Sequence, residues 1–482
     1  MNRRMILYIL GTLLLSEAGL MLLPVGVDLY YGEGKFASYL ITIAIILVAS
    51  FIMTRFKPKN KTIHARDGFI VVSLGWIIVS FFGALPFFLT REIPNFIDAL
   101  FESVSGFTTT GATILNDVEA LCHANLFWRS FTHWIGGMGV LVFIMAVLPL
   151  SGGGGDLYLM RAESTGPDVG KFVPKSISTA RILYGIYLAL TLFEIIMLLI
   201  GDIPFFDSVT LSFGTAGTGG FGIKNDSIAS YSPYVQGVIT AFMALFGINF
   251  SLYFLLLCGK FKDIFKNEEL RTYIIIMLTA IVLISFDVRE FFDSGLETLR
   301  YAAFQVSSVM TSTGYSTTDF NQWPDFSKGI LILVMCIGAC AGSTGGGLKV
   351  ARVLLLIKDA RRELKRLIHP RSVNVVTLDG KRVKDEVLRS TNVYFYLYIF
   401  ILAASMLLVS FDNVDLVSDF TGVLTTLNNI GPGLEAVGPA GNFSVYGWFS
   451  KCIFIIDMLF GRLEIFPLIL LFSKKPKAKK HI

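Results

Sequence analysis

Apolar residues in this chain fall into long runs; they neither alternate as in a strand nor recur on one face of a surface helix. Ile6 to Val25, Tyr39 to Met53, Phe69 to Leu89 and Leu126 to Leu150 each approach the roughly 20 residues a helix needs to cross a hydrocarbon core. Further runs cover Ile182 to Ile200, Val235 to Cys258, Tyr273 to Phe286, Ile330 to Ala341, Val393 to Val409 and Ile453 to Phe472. These ten runs predict an all-α integral membrane protein with about ten transmembrane helices. The run at Ile330 is short and meets a glycine cluster, the composition of an interrupted helix. Arg3 and Arg4 ahead of the first run imitate a secretory signal, but Glu17 interrupts it and no small-residue cleavage site follows, so it is read as a retained span.

A second pattern recurs four times between the spans: a turn or acidic residue, a half-apolar segment, then a short run rich in Thr, Ser, Asn and Gly. The polar runs are Phe107 to Ala112, Ala216 to Phe221, Thr311 to Tyr315 and Asn428 to Pro432. Aligned on Gly111, Gly219, Gly314 and Gly431, they lie 108, 95 and 117 residues apart, each interval room for two spans and a re-entrant element. The preceding segments are too short to span and predict half-membrane helices. Asp98, Asp207 and Asp419 stand 13, 12 and 12 residues ahead of their glycines, where a carboxylate caps a first turn and suits its positive dipole end. The third copy has Ala302 at that spacing, so Glu297 or Ser294 would cap a longer helix.

Composition and charge narrow the class. The chain is 54% hydrophobic and only 16% charged, against about 25% in soluble domains. Its cations gather in every second loop: 32 of 41 Lys and Arg lie in Arg3–Arg4, Arg55–Arg66, Arg161–Arg181, Lys260–Arg271, Lys349–Arg389 and Lys474–Lys480. Short basic loops stay cytoplasmic, so both termini are expected inside and the four polar runs outside, and the net charge of +5 reports topology, not nucleic-acid binding. The five cysteines form no CxxC pair, which argues against a disulfide framework or metal site. Ser151 to Asp156 lacks the GK[ST] ending of a phosphate loop and reads as a linker. The histidines show no ligand spacing, His133 reading as an interface or core residue, and no Ser, His, Asp set is apparent, so an enzyme is not expected.

The residue types of the polar runs suit a cation. Half-helices entering from outside point their negative ends at the membrane centre. Glycine lets backbone carbonyls turn inward, and the adjoining Thr or Ser adds a hydroxyl oxygen. Asp and Glu are absent within two residues of each anchor glycine, which favours a weakly hydrated monovalent ion over calcium or magnesium. Two readings compete: a gated channel-like pore, and a secondary carrier coupled to protons or sodium. Four copies in parallel favour the pore.

At these residues the sequence resembles the Trk/Ktr/HKT superfamily of potassium transporters, over nearly the whole stretch from Phe69 to Phe472, and its extra N-terminal pair of spans resembles the TrkH branch. The resemblance implies four pseudo-symmetric helix, pore-loop, helix repeats, with four re-entrant pore helices, around one central pore. The units would be residues 67–165, 166–270, 271–390 and 391–482, preceded by the helix pair 1–66. It implies filter glycines Gly111, Gly219, Gly314 and Gly431, with Thr109, Thr110, Gly217, Thr218, Ser312, Thr313, Asn429 and Ile430 supplying neighbouring carbonyls to K+. The glycine-rich run Gly338 to Gly347 reads either as an exit into the cytoplasmic loop or, by the resemblance, as an intramembrane gate under the filter, carried by Gly342, Ser343, Thr344, Gly345, Gly346 and Gly347. Arg462, a charge inside the last apolar run, would partner that gate, or else pair with Glu464. The basic loop from Lys349 to Arg389, with a helix over Val353 to Leu367, suits anionic lipid or a soluble subunit. The family further implies a homodimer in a bacterial inner membrane, a cytoplasmic nucleotide-binding ring of the TrkA type, and no cofactor held by this chain beyond the transported K+.

Overall fold

The computed structural model describes residues 2–55, 58, 64–139, 177–372 and 374–472. The linker Ser151 to Asp156, the end of the Leu126 to Leu150 run, the basic residues from Arg161 to Lys175 and the tail Lys474 to Lys480 lie outside them.

The chain opens with α1 (Arg3–Leu20) and α2 (Leu22–Tyr31), followed by α3 (Phe36–Thr54), which packs along α1. Gly11 permits the approach: the Ser50 hydroxyl donates to its carbonyl at 2.7 Å, and a Cβ at Gly11 would press on Met53 and Thr54. Ile41, Val48, Phe51 and Ile52 are exposed on α3, as a lipid-facing surface requires. Next come α4 (Ala65–Gly83), α5 (Leu85–Leu89), α6 (Phe96–Phe107) and α7 (His123–Gly137), then α8 (Ile177–Ile200), α9 (Phe205–Gly217), α10 (Pro233–Phe246), α11 (Phe250–Leu257) and α12 (Phe261–Lys266). They are followed by α13 (Glu268–Asp287), α14 (Gly295–Met310), α15 (Asp325–Ile337), α16 (Val350–Ile368), a two-stranded hairpin β1 (Thr377–Leu378) and β2 (Lys381–Arg382), α17 (Asp385–Val409), α18 (Leu416–Leu427), α19 (Trp448–Arg462) and α20 (Phe466–Phe472).

Short helices α6, α9, α14 and α18 stand directly ahead of the four polar runs, where the sequence pattern puts half-helices. Their starts differ in detail from the sequence expectation. Asn95, Ser294 and Asp415 accept from backbone N–H groups as N-caps of α6, α14 and α18, while Pro204 precedes α9 without a side-chain cap. Asp98, Asp207 and Asp419 sit one turn in, where they keep the dipole benefit and gain partners: Lys451 Nζ at 2.7 Å, Tyr231 Oη at 2.9 Å and Tyr446 Oη at 3.0 Å. Ser294 caps the third helix, as its missing aspartate required.

Among the described residues six helices are long and apolar enough to span a membrane, seven if the pair α10 and α11 counts as one. Among the described residues, the runs at Val235, Ile330 and Ile453 are sharply broken. The Val235 run, one of the ten apolar runs of the sequence, bends by 90° after Phe246, because Asn249 caps a new helix by accepting from Ser251 N at 2.9 Å. The last run breaks after Arg462, with Glu464 and Ile465 at positive φ. Only the break after Ile337 was legible beforehand.

The packing of the half-helices closes on itself: α7 lies against α9, α10 against α14, α15 against α18, and α19 against α6. Each polar run is therefore wedged between its own half-helix and a neighbour from the next segment of chain.

Candidate functional site

Each half-helix ends in the same turn. Thr109, Thr218, Ser312 and Asn429 adopt left-handed backbone with φ of 56°, 54°, 56° and 54°. The next residue's N–H reaches back five positions: Thr110 to Ser105, Gly219 to Gly214, Thr313 to Ser308 and Ile430 to Thr425, at 2.9, 2.9, 2.8 and 2.9 Å. This double closure is the Schellman pattern, normally built on glycine at the left-handed position. A non-glycine there is strained, and local bonds offset the cost: the hydroxyls of Thr218 and Ser312 return to the carbonyls of Gly217 and Thr311 at 2.6 and 2.7 Å.

One position further the chain reverses at Gly111, Gly220, Gly314 and Gly431, with φ of 79°, 74°, 87° and 98°. A Cβ at each would strike the backbone of another loop: Gly219 O for Gly111, Thr313 O for Gly220, Ile430 O for Gly314, and Thr110 O, 2.9 Å away, for Gly431. Loop 1 thus meets loop 2, loop 2 meets loop 3, loop 3 meets loop 4, and loop 4 meets loop 1. Each reversing glycine abuts the carbonyl of the residue before the next loop's reversing glycine, so the four loops form one closed ring of contacts.

The register of loop 2 differs by one residue from the sequence alignment. Gly220, not Gly219, is the reversing glycine, while Gly219 holds the position of Thr110, Thr313 and Ile430. The adjacent pair Gly219–Gly220 left the choice open to sequence alone; the left-handed Thr218 settles it. The hydroxyls of Thr110 and Thr313, assigned above to the ion, also bond within the wall, to Thr108 and Thr311 at 2.8 Å each. Asn429 Nδ2 donates to Thr110 Oγ1 at 2.9 Å, tying loop 4 to loop 1.

Beneath the ring, residues 338–349 run as a loop between α15 and α16. Gly342 O accepts from Phe250 N at 3.0 Å, Cys340 N donates to Gly247 O at 3.1 Å, and Thr344 Oγ1 donates to Phe246 O at 3.3 Å. Here the break in α10 and α11 has a use, since it frees the carbonyls that hold the loop. Gly346 N donates to Ser312 Oγ, and a Cβ at Gly346 would collide with Asn428 O, so the loop presses on polar loops 3 and 4. Lys349 Nζ returns to Gly345 O, and a carboxylate oxygen of Glu269 accepts from Ala341 N. Sequence reading passed over Glu269; an acidic residue at the start of a span was its only signal.

Arg462 reaches this loop from the end of α19. Its guanidinium donates to Thr344 O at 2.9 Å, Thr109 Oγ1 at 3.2 Å, Gly137 O at 2.8 Å and Gly136 O. Glu464, the alternative partner in the sequence, forms its ion pair with Arg352, whose guanidinium also lies 3.9 Å over the Tyr394 ring. Four backbone or hydroxyl acceptors on three segments make Arg462 a pin between loop 1, α7 and the glycine-rich segment.

Four polar loops in a closed ring of contacts, set among broken helices with exposed apolar side chains, fit the class of membrane proteins that handle small cations. The family whose profile matches residues 35–481 is described as "TrkH: Cation transport protein", and the chain belongs to this family. It is 39% identical over 481 residues to "Trk system potassium uptake protein TrkH" of Salmonella typhimurium, covering 98% of this chain and 99% of that protein. The protein of the same name from Escherichia coli K12 is 38% identical over the same span. The crystal structure of the potassium transporter TrkH from Vibrio parahaemolyticus superimposes with a TM-score of 0.88 at 33% identity, covering 98% of this chain and 99% of that one.

Proposed function

We propose that this chain takes up potassium across the bacterial cytoplasmic membrane through a gated, channel-like pore on the axis of the four loops. The closed ring in which Gly111, Gly220, Gly314 and Gly431 each abut a backbone carbonyl of a neighbouring loop supports the reading, because it brings four chain segments rich in carbonyls together. Potassium sheds its water to enter, and the neighbouring carbonyls of Thr109, Thr110, Thr218, Gly219, Ser312, Thr313, Asn429 and Ile430 replace it. Four helix, pore-loop, helix units around the axis, with both termini inside, follow from this reading. The segment from Gly342 to Gly347 is the gate: held against Ser312 and Asn428 and pinned by Arg462, it stands across the path below the filter. Its release admits ions. The chain acts as a homodimer with a cytoplasmic nucleotide-binding subunit, whose effect reaches the gate through the loop that follows it.

Rubidium-86 uptake into proteoliposomes tests the pore. Uptake that proceeds down a rubidium gradient without a proton or sodium gradient, and that potassium but not sodium suppresses, is expected. Strict dependence on a proton or sodium gradient would instead establish the symporter, which the broken helices also suit.

A further inference from the structure

Loop 2 lacks what steadies the other three. At the position after the left-handed residue, loops 1, 3 and 4 carry Thr110, Thr313 and Ile430, all fully buried, and the two hydroxyls are bonded into the wall. Loop 2 carries Gly219 there, flanked by Gly217, Gly220 and Gly222. So many glycines leave the most backbone freedom to be frozen out. The vacant side-chain space is filled from outside: a Cβ at Gly219 would land on the imidazole of His133. That ring comes from α7. Its Nδ1 lies 2.7 Å from Gly106 O and its Nε2 accepts from Phe221 N at 3.3 Å. A carbonyl can only accept and an amide N–H can only donate, so the imidazole is neutral with its proton on Nδ1.

One turn earlier on α7, Arg129 grips the same residue. Its guanidinium carbon lies 4.0 Å from the Phe221 ring centroid, and the His133 ring centroid lies 4.2 Å from it. Arg129 also donates to Gly222 O at 3.2 Å and, through Nε, to Glu102 at 2.8 Å. Glu102 in turn accepts from Thr113 Oγ1 at 2.9 Å and from Ile114 N at 3.1 Å. Phe221 directly follows the reversing glycine, so two adjacent turns of α7 hold loop 2 by ring and backbone and lock it to loop 1.

We propose that His133 and Arg129 are positioning residues for ion selectivity, with the His133 imidazole taking the place of the side chain that loop 2 lacks. This rests on the filter reading above. Gly219 has no positive φ of its own, so its backbone accepts threonine, and the three atoms nearest to an added Cβ all belong to the imidazole. Wild type, His133→Ala, Gly219→Thr and the double variant are compared by rubidium-86 uptake in proteoliposomes against rising sodium. His133→Ala is expected to lose roughly tenfold of its discrimination, as loss of two buried hydrogen bonds on one filter segment implies. Gly219→Thr alone should be impaired by the clash, and the double variant should recover discrimination. A selective wild type together with a selective His133→Ala overturns the inference, whatever the change in thermal stability, and so does a double variant no better than its parents. Should His133→Ala fail to insert, the double variant decides: inserted and selective supports the proposal, anything else overturns it. A wild type without selective flux overturns the filter reading and this inference with it.

Discussion

The pin made by Arg462 yields the most quantitative expectation. Replacing it with glutamine removes a charge-assisted bond to Thr344 O at 2.9 Å, a contact that runs directly from the guanidinium to the segment proposed as the gate. Bonds of this kind contribute about 1.5–3 kcal/mol net, so the ratio of released to held gate should rise by roughly 10- to 150-fold. The bonds to Gly136, Gly137 and Thr109 are lost as well, but they join α19 to α7 and loop 1 and favour neither position of the gate directly. Basal rubidium uptake by Arg462→Gln in proteoliposomes, without any activating subunit, should therefore exceed wild type by at least about tenfold. Arg462→Lys separates charge from geometry. A lysine keeps the positive charge near the path but has no planar fork to span several acceptors. If Arg462 acts only as an electrostatic barrier, lysine restores the low basal flux; if it acts as a pin, lysine leaves much of the increase. Basal uptake of Arg462→Gln equal to wild type, with equal protein in the vesicles, would refute the reasoning.

Gly220→Ala places a methyl group against Thr313 O at a residue with φ of 74°, whereas Gly237 has nothing within 4 Å of its added Cβ. Sodium competition in rubidium uptake should therefore rise for the first alanine and stay unchanged for the second. Gly346→Ala should raise basal uptake, since its methyl collides with Asn428 O only while the gate lies under the filter. Glu102→Ala leaves the buried Arg129 guanidinium without its carboxylate, and should lower thermal stability by about 3–5 kcal/mol; size-exclusion recovery after heating reads it, with Glu102→Gln, which keeps an acceptor, falling less. Glu269→Gln weakens the bond from Ala341 N at the head of the gate segment, and its basal uptake should lie between wild type and Arg462→Gln.

Much of this molecule was legible from residue order, for a physical reason. Lipid cannot satisfy backbone polar groups or charges, so spans must be apolar and cations must collect outside them; both patterns are one-dimensional. The half-helices were legible for the same reason, each being too short to cross and ending in a run that only a lined cavity tolerates. Other features depended on where distant atoms meet. Whether Gly219 or Gly220 reverses the chain was decided by the left-handed turn at Thr218 and by Thr313 O across the ring. The breaks after Phe246 and Arg462 carry no glycine run like that following Ile337; after Phe246 the freed carbonyls bind the glycine-rich segment and Asn249 starts a new helix. Glu464 stood two residues from Arg462 in the chain, yet its ion pair is with Arg352, brought beside it from 112 residues away. A sequence records which groups must leave lipid, but only the packed helices decide which partner each buried charge, glycine and carbonyl will face.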